Sequence, residues 1–126
     1  MASAKIGLLP LWLKLYDDSA PQARPHIEAF VRTIAGAFER RGVAVVAAPV
    51  CRLAKEFAAA VKGFERGEVD AIVTLHLAYS PSLESSDALA ATRLPVLVLD
   101  TTPTFAFGPA QDPAEIMYNH GIHGVQ

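Results

Sequence analysis

Four short apolar runs, spaced along the chain with helical patterns between them, leave few folds open. They are Lys5–Leu11 (KIGLLPL), residues 43–50 (VAVVAAPV), residues 70–79 (DAIVTLHLAY) and residues 95–99 (PVLVL). Runs of this length without polar alternation suit strands buried on both faces, as in parallel sheets. After Asp17, Asp18 and Ser19, Pro21 and Pro25 mark the first turn of a helix, where proline is tolerated. Ile27, Phe30, Val31, Ile34 and Phe38 then recur at three and four residues, one apolar helical face closed by Arg40, Arg41 and Gly42. Leu53, Phe57, Val61 and Phe64 repeat the pattern up to Gly67, and a short helix is expected around residues 87–92.

The order β-α-β-α-β-α-β implies right-handed crossovers and a parallel sheet with helices on both faces. The expected fold is therefore a three-layer open α/β sheet, flavodoxin-like or Rossmann-like, with strand order 2-1-3-4. The 126 residues suit one domain. The last stretch opens a helix at Asp112-Pro113 and then stops at Gln126. Such a sheet usually has a fifth strand, so truncation of a longer, multidomain chain is expected.

Hydrophobic residues make up 52% of the chain and charged ones 19%, enough apolar surface to exclude disorder. The formal charge is −2 and no basic stripe occurs, which argues against a nucleic-acid partner. Cys51 is the single cysteine, in keeping with a reducing compartment. Pro10 and Lys14 interrupt the N-terminal apolar stretch, no small-x-small cleavage site follows it, and no run is long enough to span a bilayer. The expectation is a cytoplasmic protein with no membrane partner.

Ligands of open parallel sheets bind outside the carboxyl ends of the strands. That rule selects residues 12–17, 49–52, 76–82 and 100–104. The turn after the first strand, PLWLKLYDD, contains no glycine, so neither a dinucleotide fingerprint nor a phosphate loop forms there. His120 and His123 share a helical spacing of three, but a third metal ligand is missing. Among glycines they read as substrate contacts or as exposed histidines at a helix start. His76, beside Thr74 in an apolar strand, is a satisfied core residue or, from its place near the strand end, a site residue. Asp17 and Asp18 read as a helix N-terminal charge cluster and Asp100 as a turn residue. Cys51 reads as structural, and Glu84 and Glu115 as solvated. No nucleophile–base–orienter set is complete, so no catalytic residue is assigned.

The stretch YNHGIHGVQ (residues 118–126), preceded by LPVLVLDTTP (94–103) and LHLAYSPSLESSDAL (75–89), resembles the N-terminal region of L-fucose and L-arabinose isomerase-type proteins. The family's loop after the third strand is matched by Tyr79-Ser80-Pro81, and its Asn-x-x-x-His-Gly element by Asn119, His123 and Gly124. The resemblance implies an aldose–ketose interconversion through an enediol, assisted by a divalent metal such as Mn²⁺. It places the metal ligands in later domains and none in this chain. It also implies a homo-oligomer, a hexamer in the family, in which this domain approaches a neighbouring subunit's active site. There His123 would contact the sugar on the strength of the motif, and Trp12, Tyr16, His120 and His76 by location. In the arabinose branch a Gln-His pair precedes Leu-Tyr at the end of the first strand, where this chain has Leu11-Trp12-Leu13-Lys14-Leu15-Tyr16. The rival reading is a free-standing flavodoxin-like module that binds a small molecule such as a sugar.

Overall fold

The computed structural model describes residues 3–79 and 82–125. Its strands are β1 (Lys5–Leu11), β2 (Ala44–Ala47), β3 (Ala71–His76) and β4 (Val96–Leu99). Helices α1 (Lys14–Ser19), α2 (Arg24–Glu39), α3 (Ala54–Arg66), α4 (Ser86–Ala91) and α5 (Ile122–Val125) alternate with them, joined by 3-10 turns at Pro21–Ala23, Ser82–Glu84 and Pro113–Tyr118. All strand pairs are parallel, as the alternation implies, and the order is β2-β1-β3-β4, as expected. The fold is an open α/β sheet of the flavodoxin or Rossmann kind.

The central strands carry the core. Leu8, Leu9, Ile72 and Leu75 are fully enclosed. On one side Ile6, Leu8, Val73 and Leu75 pack with Ile27 and Val31 of α2. On the other Leu9, Leu11 and Ile72 pack with Phe57, Val61 and Phe64 of α3, joined by Ala88 and Leu89 of α4. Gly7 explains how closely α3 lies: a Cβ there would come within 2.5–2.9 Å of the Phe64 ring.

Two sequence expectations shift. The 43–50 run supplies only four strand residues, because Pro49 has no N–H for a ladder. Beyond it the chain rejoins β1 through a Leu11↔Cys51 bridge. Leu8 pairs with Ala47, so three steps along β1 match four along the second chain, and the extra residue bulges. The 12–20 stretch, expected to be a lead-in to a helix, holds α1, with Lys14 paired to Asp18 one turn on at 2.6 Å.

β4 is an edge strand. Val96, Leu97 and Val98 are 39%, 55% and 56% exposed although all are apolar. No charge or proline interrupts Val96–Leu99, the usual protection of a free edge. No helix among the described residues is long and apolar enough to cross a membrane.

Candidate functional site

Two clusters form along the carboxyl edge of the sheet. The first joins the ends of β1 and β2. Trp12, leaving β1, is 2% exposed and donates its indole N–H to Asp17 Oδ1 at 3.1 Å. Asp17 also accepts from Arg24 Nη1 at 2.5 Å and Arg52 Nη1 at 3.0 Å. Arg52 extends the chain to Glu56 at 2.8 Å, and Glu56 in turn accepts from the backbone N–H groups of Arg52 and Leu53. Burial pushes the Asp17 carboxyl up, but the hydrogen bonds from Arg24, Arg52 and Trp12 outweigh it and hold the group below its usual range. Asp17, an acidic residue in the first turn of α1, is thus also the hub that ties α1, α2 and the start of α3 together. Tyr16 packs edge-on against Trp12, with centroids 5.3 Å apart at 65°.

Cys51 lies in the same corner, 2% exposed, with its thiol directed at the Pro49 carbonyl 3.2 Å away. Burial, reinforced by Glu56, pushes its pKa up to about 11 against the pull of Arg52 and Arg24. A thiol held that high is a poor nucleophile, as the structural reading expects. Glu84 is not simply solvated: its carboxylate accepts from Ala54 N at 2.7 Å and caps α3 from the loop after β3.

The second cluster joins the ends of β3 and β4 to the C-terminal stretch. His76 is 7% exposed, its Nε2 lying 3.1 Å from Thr74 Oγ1. Burial lowers its pKa, and the Asp100 carboxylate pulls in the opposite direction. Gly121 seats on this pair: a Cβ there would strike the His76 carbonyl and lie 3.3 Å from Asp100 Oδ1. Met117 packs into the α2-side core, a second anchor for the same stretch. His120 follows, stacked on Tyr79 with ring centroids 6.3 Å apart at 23°. Asn119 holds the turn, accepting from Thr104 N at 3.3 Å and donating to the Glu115 carbonyl at 3.0 Å.

His76 and His120 therefore share one cluster, while Trp12 and Tyr16 belong to the other. His123 lies in α5; its side chain, like Ser80 and Pro81 of the loop after β3, is outside the described residues. Tyr79 and Asp100 enter the site from patches selected by the strand-end rule, and Gly121 from a glycine whose need for close approach only the packing reveals. No family model matches the chain, and no curated protein matches it.

A cavity of about 530 Å³ opens beside His120, walled by Phe107, Ile116 and Ile122 and edged by Gln111, Glu115 and Asn119. Gln111 Nε2 donates to Glu115 Oε2 at 2.5 Å, so this carboxylate too is engaged rather than merely solvated. Another cleft, about 450 Å³, lies between β2 and α3. Its described walls are chiefly alanine, valine and Phe64, and the carboxylate among them, Glu56, is already bound to Arg52. The first cavity has the richer chemistry. Among the described residues no three His, Cys, Asp or Glu side chains converge as a metal-ligand set, so the divalent cation implied by the resemblance finds no seat in them.

Proposed function

We propose that this chain is the N-terminal substrate-capping and oligomerisation domain of a cytoplasmic aldose–ketose isomerase resembling the L-fucose and L-arabinose enzymes. The observation that carries the reading is the seat of the motif-bearing stretch. Gly121 packs on His76 at the carboxyl end of the sheet, the edge where open parallel sheets hold their ligands. This chain's share of the work is to bind and orient the sugar and to exclude water. The divalent cation and the carboxylates that move protons between adjacent carbons belong to later domains in that family. The apolar, unpaired β4 edge supports docking against further protein, whether the rest of the enzyme or neighbouring subunits.

The test is His123→Ala in the full-length enzyme. Isomerase kcat/KM should fall by about tenfold or more, the loss of one good transition-state contact, with the circular dichroism spectrum unchanged. Unaltered activity would remove His123 from the site and the resemblance from consideration. The second reading, a free-standing sugar-binding module, is favoured by one observation: the described lining of the 530 Å³ cavity comes from residues 107–122 of this chain.

A further inference from the structure

We propose that β4 pairs antiparallel with the β4 of a second copy of this chain, so that two sheets join into one across a two-fold axis. The proposal rests on the free sheet edge alone and holds whether or not the chain serves an isomerase.

The two edges of the sheet differ. β2 runs into a bulge and Pro49, two of the usual devices that keep an edge from pairing. Among the described residues β4 has neither. Ile72 donates to the Pro95 carbonyl at 2.8 Å, while Ile72 and Thr74 stand level with Val96 and Val98. In such a parallel ladder the residues on either side of Val96 and Val98 bond β3. The N–H and C=O groups of Val96 and Val98 themselves point the other way, along the open edge. Pro95 turns its carbonyl, and with it the position of its missing N–H, toward β3, so it does not blunt that edge.

Charge selects the occupant and its direction. Arg93 precedes the strand and Asp100 follows it, both exposed. A second copy laid antiparallel brings each Arg93 to the other's Asp100 end, whereas parallel strands would set like charge beside like. The register follows from the free groups. Val96 opposite the second copy's Val98, and Val98 opposite its Val96, uses all of them and sets Leu97 against Leu97 on the axis. The side chains suit this register. Leu97 and Leu99, level with Val73 and Leu75, face the α2 layer. Beside Leu99 a groove of about 230 Å³ opens against Ile34, Phe38 and Arg41 of α2. The second copy's Leu97, diagonal to Leu99, lies at its mouth.

The experiment is analytical ultracentrifugation of the 126-residue chain across a range of concentrations, together with oxidative cross-linking. A short strand makes a small interface, so the chain should pass reversibly from monomer to dimer as its concentration rises. Leu97→Lys, at a side chain 55% exposed in the single chain, should leave the circular dichroism spectrum unchanged. It should weaken dimerisation about tenfold or more, because two like charges then meet on the axis. Leu97→Cys should oxidise to a disulfide-linked dimer, since directly opposed residues of this kind have Cα atoms about 4.5 Å apart, within disulfide reach. Val96→Cys, which stands opposite the second copy's Val98 rather than its own counterpart, should not. A chain monomeric at every concentration, a dimer untouched by Leu97→Lys, or cross-linking through Val96→Cys and not through Leu97→Cys would each overturn the proposal. Any of these results would leave the sugar-directed reading to its own His123→Ala test.

Discussion

Gly121 lies against the backbone of His76 so closely that a methyl group at its Cα would overlap the His76 carbonyl oxygen and sit 3.1 Å from the carbonyl carbon. The contact fastens the C-terminal stretch to the end of β3. Gly121→Ala should therefore push the stretch off the sheet and destabilise the chain by about 1–3 kcal/mol, the usual penalty of overpacking. Urea unfolding measures the loss, and amide exchange over residues 113–125 should accelerate more than exchange in β1. An unchanged midpoint with unchanged exchange would show that the joint carries no stability.

His76 sets one acid limit of the fold. Thr74 Oγ1 and the Asp100 carboxylate face it; burial outweighs Asp100 and keeps the ring's pKa below its ordinary 6.5. The folded state thus favours the neutral ring. Its contribution is complete above pH 6.5, where the unfolded ring is also neutral, and is lost as pH falls through the lower folded pKa. The urea midpoint should drop between pH 7.5 and pH 5, and His76→Gln should flatten that part of the profile. Parallel profiles for the two proteins would contradict it.

Asp17 sets a second, lower limit. Its side chain is 16% exposed and its folded pKa lies below the ordinary 3.8, so its stabilisation is present above that pH and disappears as pH falls through the folded value. Asp17→Asn should lower stability at pH 7 by about 1–3 kcal/mol, since it weakens the hold on two guanidinium groups and an indole. The difference between variant and wild type should shrink on acidification from pH 5 to pH 2. A constant gap across that range would mean that the carboxylate's charge plays no part.

Much of the architecture was legible because strands buried on both faces must be apolar throughout. That requirement wrote KIGLLPL and AIVTLH into the chain, and the intervening helices made the sheet parallel, with the expected order 2-1-3-4. Helix ends were legible as well: α3 ends at Arg66 with Gly67 as its C-cap, although the left-handed backbone just beyond it belongs to Glu68, at φ 51. The site was legible in outline only. His76 and Asp100 follow from the strand-end rule, and Thr74 from its place two residues before His76 on the same strand face, but the stack of His120 on Tyr79 is a contact that no spacing records.

The Asp17 hub marks the same boundary. Its partners Trp12, Arg24 and Arg52 stand 5, 7 and 35 residues away, and only the meeting of β1, α2 and the Cys51 bridge brings them to one carboxylate. The amino-acid sequence determined the layers of this protein, since hydrophobic periodicity is a local property that burial reads directly. Tertiary structure alone decided which polar groups face one another across the sheet edge. Hydrogen bonds and charges act over a few ångströms in space and are indifferent to distance along the chain.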